Sequence, residues 1–191
     1  MRGFGTYIVT LVLVFAGIST SSASAQTFSV GTNALELANF GTLSLQAGAA
    51  VSQHFSVVAE ARLNPWQFHS GKRDILVRNQ QTTAGAGLRY WPWYVNSGWW
   101  IEGKGQYQKF SRTGVWRPAL EEARAVGAAL GFGYTLMLNE HLNIEFGASG
   151  WAGRYLEYNL YCCPDCMDIR DSGPRGFLAA DTVYCSIMYV F

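Results

Sequence analysis

From Arg124 to Leu138 the chain alternates between two kinds of residue. Val126, Ala128, Leu130, Phe132, Tyr134, Leu136 and Leu138 occupy one set of positions, and Ala125, Gly127, Ala129, Gly131, Gly133 and Thr135 the other. One face is bulky and apolar and the other is tiny. A period of two with unlike faces is the mark of a β-strand. The pattern recurs. Leu142, Ile144, Phe146 and Ala148 alternate with Asn143, Glu145, Gly147 and Ser149, and Val183, Cys185, Ile187, Tyr189 and Phe191 share one face at the end of the chain. Earlier, Leu43 to Val51, Phe55 to Leu63, Ala84 to Tyr90 and Trp99 to Tyr107 behave alike. The stretch from Phe28 to Ala38 is the weakest, because its apolar phase shifts between Val30 and Leu35. Counting it, the pattern predicts eight strands.

Short links at Ser52-Gln53-His54, Pro92 to Ser97 and Asn139-Glu140-His141 alternate with longer ones from Asn64 to Gln81, Ser111 to Ala123 and Glu157 to Gly176. The first link on the long side, Asn39 to Thr42, is short. Short turns at one end and long loops at the other are the layout of an outer-membrane barrel. The expected fold is all-β: an eight-stranded antiparallel up-and-down transmembrane β-barrel. Tyr90-Trp91-Pro92-Trp93-Tyr94 and Trp99-Trp100 flank one short turn, as rings that settle at a membrane interface would.

The first residues read as an address. Arg2 precedes the apolar run Tyr7 to Ile18, and a Ser/Thr stretch leads to Ala23-Ser24-Ala25 before Gln26. That is a basic start, a short apolar core and a small-x-small cleavage site, so residues 1–25 are expected to be a signal peptide and 26–191 the barrel domain. The apolar core is shorter than the roughly 20 residues of a spanning helix. Composition agrees: 49% hydrophobic, 15% aromatic and only 14% charged, with a net charge of +1. That excludes a disordered chain and argues against a nucleic-acid partner, which would call for a basic surplus.

The sequence resembles a family of outer-membrane barrels common in Bacteroidetes and known as domain of unknown function three-five-seven-five. The resemblance rests on Ser29-Val30-Gly31-Thr32-Asn33, Asn64-Pro65-Trp66-Gln67-Phe68 and Leu88-Arg89-Tyr90-Trp91. It continues through Gly131-Phe132-Gly133-Tyr134, Leu142-Asn143-Ile144-Glu145 and the Cys-containing loop after Tyr161. It covers nearly the whole mature chain and implies a barrel in the outer membrane. It brings no catalytic residues. The Cys162-Cys163 doublet and the Phe191 ending depart from the family pattern.

The inward phase carries Glu60, Arg62, Arg89, Glu102, Lys104 and Glu145. An eight-stranded barrel is just wide enough for side chains to fill it, and buried charges must pair, so these six are expected to form a structural ion-pair network. The glycine pairs around residues 85–87, 103–105 and 131–133 lie inside strands with no helix after them, which excludes a phosphate loop. His54 and His141 fall in short turns, and His69 stands beside Ser70 in a long loop. Adjacent residues do not make a catalytic triad, so the reading is non-enzymatic. Cys162, Cys163 and Cys166 form the run Cys162-Cys163-Pro164-Asp165-Cys166, where an oxidising envelope favours a disulfide. Three thiols fall short of the four ligands zinc wants, so neither metal nor cofactor is expected. The expectation is a monomeric outer-membrane barrel in contact with lipid, stabilising the envelope or binding an extracellular ligand at its long loops. A lipid-modifying enzyme using His69 and a narrow channel are the alternatives.

Overall fold

The computed structural model describes residues 28–39, 41–70, 75–113, 119–161 and 169–191. The expected signal peptide and Cys162, Cys163 and Cys166 lie outside the described residues. The chain forms strands β1 (Phe28–Asn33), β2 (Leu43–Ala50), β3 (Phe55–Asn64), β4 (Gln67–Ser70), β5 (Ile75–Tyr90), β6 (Gly98–Thr113), β7 (Leu120–Met137), β8 (Leu142–Tyr161), β9 (Ile169–Ser172) and β10 (Gly176–Val190). One short helix, α1 (Ala34–Ala38), follows β1.

All pairings are antiparallel: β1 to β3 pair in order, β3 and β4 both lie on β5, β5 to β8 pair in order, β9 and β10 both lie on β8, and β10 closes on β1. Ten segments make eight walls. Asn64 pairs with Gln81 and Gln67 with Arg78, so β4 continues β3 in unchanged register across a break at Pro65, which has no N–H to offer a ladder. β9 extends the line of β10 along β8, with the register shifted by one residue across the break. The result is a closed, eight-stranded, up-and-down barrel. Its loop-end strands run farther than alternation indicated: β5 begins at Ile75 and β8 reaches Tyr161, which shortens the expected loops.

The turn end is built twice from one local code. Ser52 Oγ accepts from the backbone N–H of His54 and Phe55, and Asn139 Oδ1 accepts from those of His141 and Leu142. Each histidine then reaches the next strand. The carbonyl oxygens of His54 and His141 accept from the N–H of Trp91 and Val190, and the Nδ1 atoms lie 3.0 Å from the carbonyl oxygens of the same two residues. Carbonyl oxygens only accept, so each Nδ1 carries the proton. Both rings stack on a tyrosine, Tyr94 and Tyr189. These histidines fasten turns.

The phase shift near residue 34 has a structural cause: the expected first strand stops at Asn33 and becomes α1. β1 pairs with β10 only from Ser29 to Asn33, and α1 takes its place along the upper half of β10. Asn33 makes this change of element possible. Its Oδ1 caps the helix by accepting from Leu35 N–H at 3.1 Å. The same oxygen accepts from Cys185 N–H at 3.1 Å, while Nδ2 donates to the Val183 carbonyl at 2.9 Å. A side-chain amide thus continues the ladder after the backbone has left it.

The usual distribution of polarity is inverted. Leu130 is 72% exposed, Phe132 63% and Leu178 84%, whereas Arg89 and Glu145 are each 2% exposed. Replacing Asn33 by Ala should lower stability by about 2–4 kcal/mol, since it removes a helix cap and leaves two backbone groups of β10 unpaired. The urea midpoint of the barrel in detergent micelles measures this. Asn33→Asp, which keeps the acceptor and loses the donor, should fall between.

Candidate functional site: a closed, charged lumen

Alternation sends every second side chain of each wall inward, and the structure brings together all six charged residues picked out by phase. At the turn end, Arg89 donates to Glu102 Oε2 from Nε and Nη2, at 3.0 and 2.7 Å. Its Nη1 donates to both oxygens of Glu145, at 2.9 and 3.1 Å. Thr135 Oγ1 adds a hydrogen bond to Glu145 at 3.2 Å. The guanidinium lies over the Trp100 ring, 4.0 Å from its centroid. Trp100 in turn rests on β7 and β8 where no side chain intervenes. A Cβ at Gly147 would stand 3.1 Å from the ring, and one at Gly133 would run into it. At Gly131 and Gly133 the tiny face of β7 is therefore the space that Trp100 fills.

Lys104 stands in the middle layer. Its ammonium pairs with Glu60, donates to the Tyr184 hydroxyl at 2.9 Å and lies 3.5 Å from both Glu102 and Asp181. Arg62 contacts Glu60 at 2.9 Å, Asp181 at 2.7 Å and Glu36 at 3.4 Å. Gln106 and Ser149 donate to Asp181, and Thr182 donates to Glu36. Among the described residues, three cations thus meet five carboxylates: Glu36, Glu60, Glu102, Glu145 and Asp181.

Glu36 and Asp181 escape an alternation rule for definite reasons. Glu36 projects inward from α1, where a period of two does not apply. Asp181 is the extra residue of a bulge: Ala180 pairs with Gly150 and Thr182 with Ser149, so Asp181 turns inward although Val183 and Cys185 set the opposite phase. No sequence pattern marks that bulge in advance.

Aromatics close both ends of this network. Trp91, Trp100 and Tyr184 pack together at the turn end, with Trp91 Nε1 donating to Ser56. Toward the loop end, Trp151 packs against Ala125 and Ala129, and Tyr158 against Phe110 and Ala123. Tyr155 and Phe177 join them, while Arg112 lies over Phe110 and Arg175 over Tyr158. An interfacial role for all these rings would need them outside. Trp93, Tyr94 and Trp99 are indeed exposed, but Trp91, Trp100, Trp151 and Tyr158 are buried in the lumen. Neighbours in a strand point to opposite faces, so a run of aromatics is divided between lumen and exterior.

The remaining candidates lie apart. His69 sits in β4, paired through its backbone with Leu76, and its side chain lies outside the described residues. Cys185 is half-buried on the outward phase. Among the described residues no group of three His, Cys, Asp or Glu side chains is arranged to hold a metal.

An antiparallel ring whose polar interior is filled by its own side chains defines a small closed β-barrel. The chain belongs to the family described as protein of unknown function (DUF3575), whose model matches residues 9–191. No curated protein and no solved structure matches it.

Removing one member of a buried ion pair costs about 3–5 kcal/mol, because the other is left charged and unpaired. Glu102→Lys places a third cation beside Arg89 and Lys104 and should lower stability by about that amount. Adding Arg89→Glu should recover only part of it, because Glu145 then loses its cation. Urea midpoints of the three proteins test this; equal midpoints would show that water, not the partner, satisfies these groups.

Proposed function

We propose that the protein is a small, non-enzymatic β-barrel of the outer membrane, with a closed lumen and with its loop end facing outward for binding or envelope stabilisation. The observation that carries this reading is the inverted polarity of the barrel. Soluble monomers rarely expose a continuous apolar surface larger than a few hundred Å². Here large apolar side chains on all eight walls face outward, among them Val30, Leu45, Val57, Leu88, Ile101, Leu130, Phe146 and Ile187. On β6 the outward apolar stretch ends at Lys109. From Trp99 to Lys109 it covers ~33 Å along the strand, which at a tilt of ~40° gives ~25 Å along the axis, the height of the apolar band of such barrels. Exposed Trp93, Tyr94, Trp99 and Tyr189 rim its turn end. A closed barrel also satisfies every backbone group internally, which lipid demands.

The sequence of residues 1–25 supports export. Both ends of the barrel meet at the turn end, where Phe191 N–H donates to the Phe28 carbonyl at 2.8 Å. A chain entering from the periplasm leaves that end inside and the long loops outside. The packed lumen speaks against conduction. The loop with Cys162, Cys163 and Cys166 then belongs to the outward surface, stiffened by a disulfide.

Fractionation should place the mature protein in the outer membrane, and unheated samples should migrate faster on denaturing gels than boiled ones. Planar bilayers holding it should show no steady conductance. Recovery from the periplasm without detergent would overturn the membrane reading, and regular conductance steps would overturn the closed lumen. Mass spectrometry of the non-reduced protein should find a disulfide from Cys166 to Cys163 or Cys162; three free thiols would remove that bond from the proposal.

A further inference from the structure

We propose that the outer wall of strands β6, β7 and β8, where the apolar band ends at the loop end, seats the phosphate of a phosphorylated glycolipid between Lys109, Arg124 and Arg154. The inference rests on the outer-membrane reading, which places this rim at the headgroups of the outer leaflet.

Lys109 and Arg124 are directly opposite one another across β6 and β7, and both face outward. Like charges in that relation are destabilising unless something answers them. Arg124 has Glu157 at 3.3 Å, with both side chains about half exposed, a kind of pair that contributes little. Lys109 and Arg154 have no ion-pair partner among the described residues. Arg154 faces outward one row lower, opposite Val126. Among the described residues the nearby carboxylates are Glu157 and, one row higher, Glu122, which accepts from Ser111 Oγ at 3.1 Å. Three cations against two engaged carboxylates leave a positive surplus on one short arc of the rim.

The wall is also concave there. A groove of about 450 Å³ is lined by Gln80, Thr82, Lys109, Ser111, Arg124 and Glu157, among others, and Arg154 stands outside this lining, one row below. Its amide, hydroxyl and carboxylate groups suit the hydroxyls of a sugar, and its cations suit a phosphate. Below it, Ala86, Gly105, Ala128 and Ala152 stand opposite one another in a single outward row across four strands. Packing does not dictate the glycine: a Cβ at Gly105 would meet only the Ala86 carbonyl oxygen, at 3.9 Å. The row lies ~13 Å below Lys109 along the strand and leaves a shallow recess where acyl chains would continue downward from the headgroup.

The test uses the full mature chain in detergent and native mass spectrometry with three probes: bisphosphorylated lipid A, the same lipid dephosphorylated, and inorganic phosphate. Lipid A should be retained at least tenfold better by the wild type than by a Lys109→Gln, Arg124→Gln double variant. The conservative Lys109→Arg variant should keep the retention. Dephosphorylated lipid should be retained as weakly by the wild type as lipid A is by the double variant, and millimolar phosphate should not displace lipid A. Equal retention of lipid A by wild type and double variant, or of the two lipids by the wild type, would overturn the proposal. Full displacement by inorganic phosphate would reduce the site to a free-anion site and overturn the lipid assignment. The substituted side chains are exposed and their like charges oppose one another, so the urea midpoint of the double variant should be no lower than that of the wild type; a lower midpoint would count against a role confined to the ligand. Gel heat-modifiability and membrane fractionation of the wild type separate the two readings. A barrel that resides in the outer membrane without phosphate-dependent retention refutes this inference alone.

Discussion

The guanidinium of Arg89 is the point from which the turn-end half of the barrel is organised. Placed inside a closed ring, it has little access to water, so its solvation must come from the chain. Glu102 and Glu145 accept its hydrogen bonds from two different walls, and Trp100 supplies the face of a ring. Each partner imposes a further demand. Glu102 also faces Lys104, which draws in Glu60, Tyr184 and Asp181. Trp100 needs a wall without side chains, which fixes glycine at positions 133 and 147. A buried charge that must be answered thus determines the neighbours on every side of it.

The walls and most of this interior were legible in the sequence because a strand displays its two faces in alternation. On β7 the split between Leu130 and Gly131, or Phe132 and Gly133, is enough to separate outward bulk from lumen-scale space. The six inward charges follow from the same count. What alternation misses are the places where the backbone leaves a period of two. Glu36 is presented by a helical turn, and Asp181 by a bulge, yet both bind Arg62. The aromatic runs show the opposite failure. Trp91 and Trp100 sit in stretches that read as interfacial by composition, but their own phase sends them inward. Residue type suggested one location and register decided another.

Interior and exterior of the ring answer to different physics. Inside, polar groups have few alternatives to one another, so specificity is high and almost every charged side chain touches several partners. Outside, the walls present apolar surface, which many sequences can supply. The departures from that lax rule are therefore informative: cations opposite one another at Lys109 and Arg124, and a row of very small residues beneath them, are not needed to make a wall.

The short seam between β1 and β10 bears on how the barrel is assembled. Every other pairing joins walls that follow one another along the chain, so each closes a far shorter loop. Joining Ser29 to Val190 requires the two ends of the domain to meet, so of the strand pairings this one closes the longest loop and carries the largest closure entropy. The partnership is also narrow, spanning only Ser29 to Asn33 before α1 intervenes. Ring closure is thus concentrated in a few rungs and in the Asn33 side chain, and it also confines Arg62, Lys104 and their carboxylates. An open sheet would leave those charges on a solvated face, at ease with water. Ring closure is therefore both a meeting of the chain ends and the dehydration of an ionic cluster, so topology and electrostatics are joined at one seam.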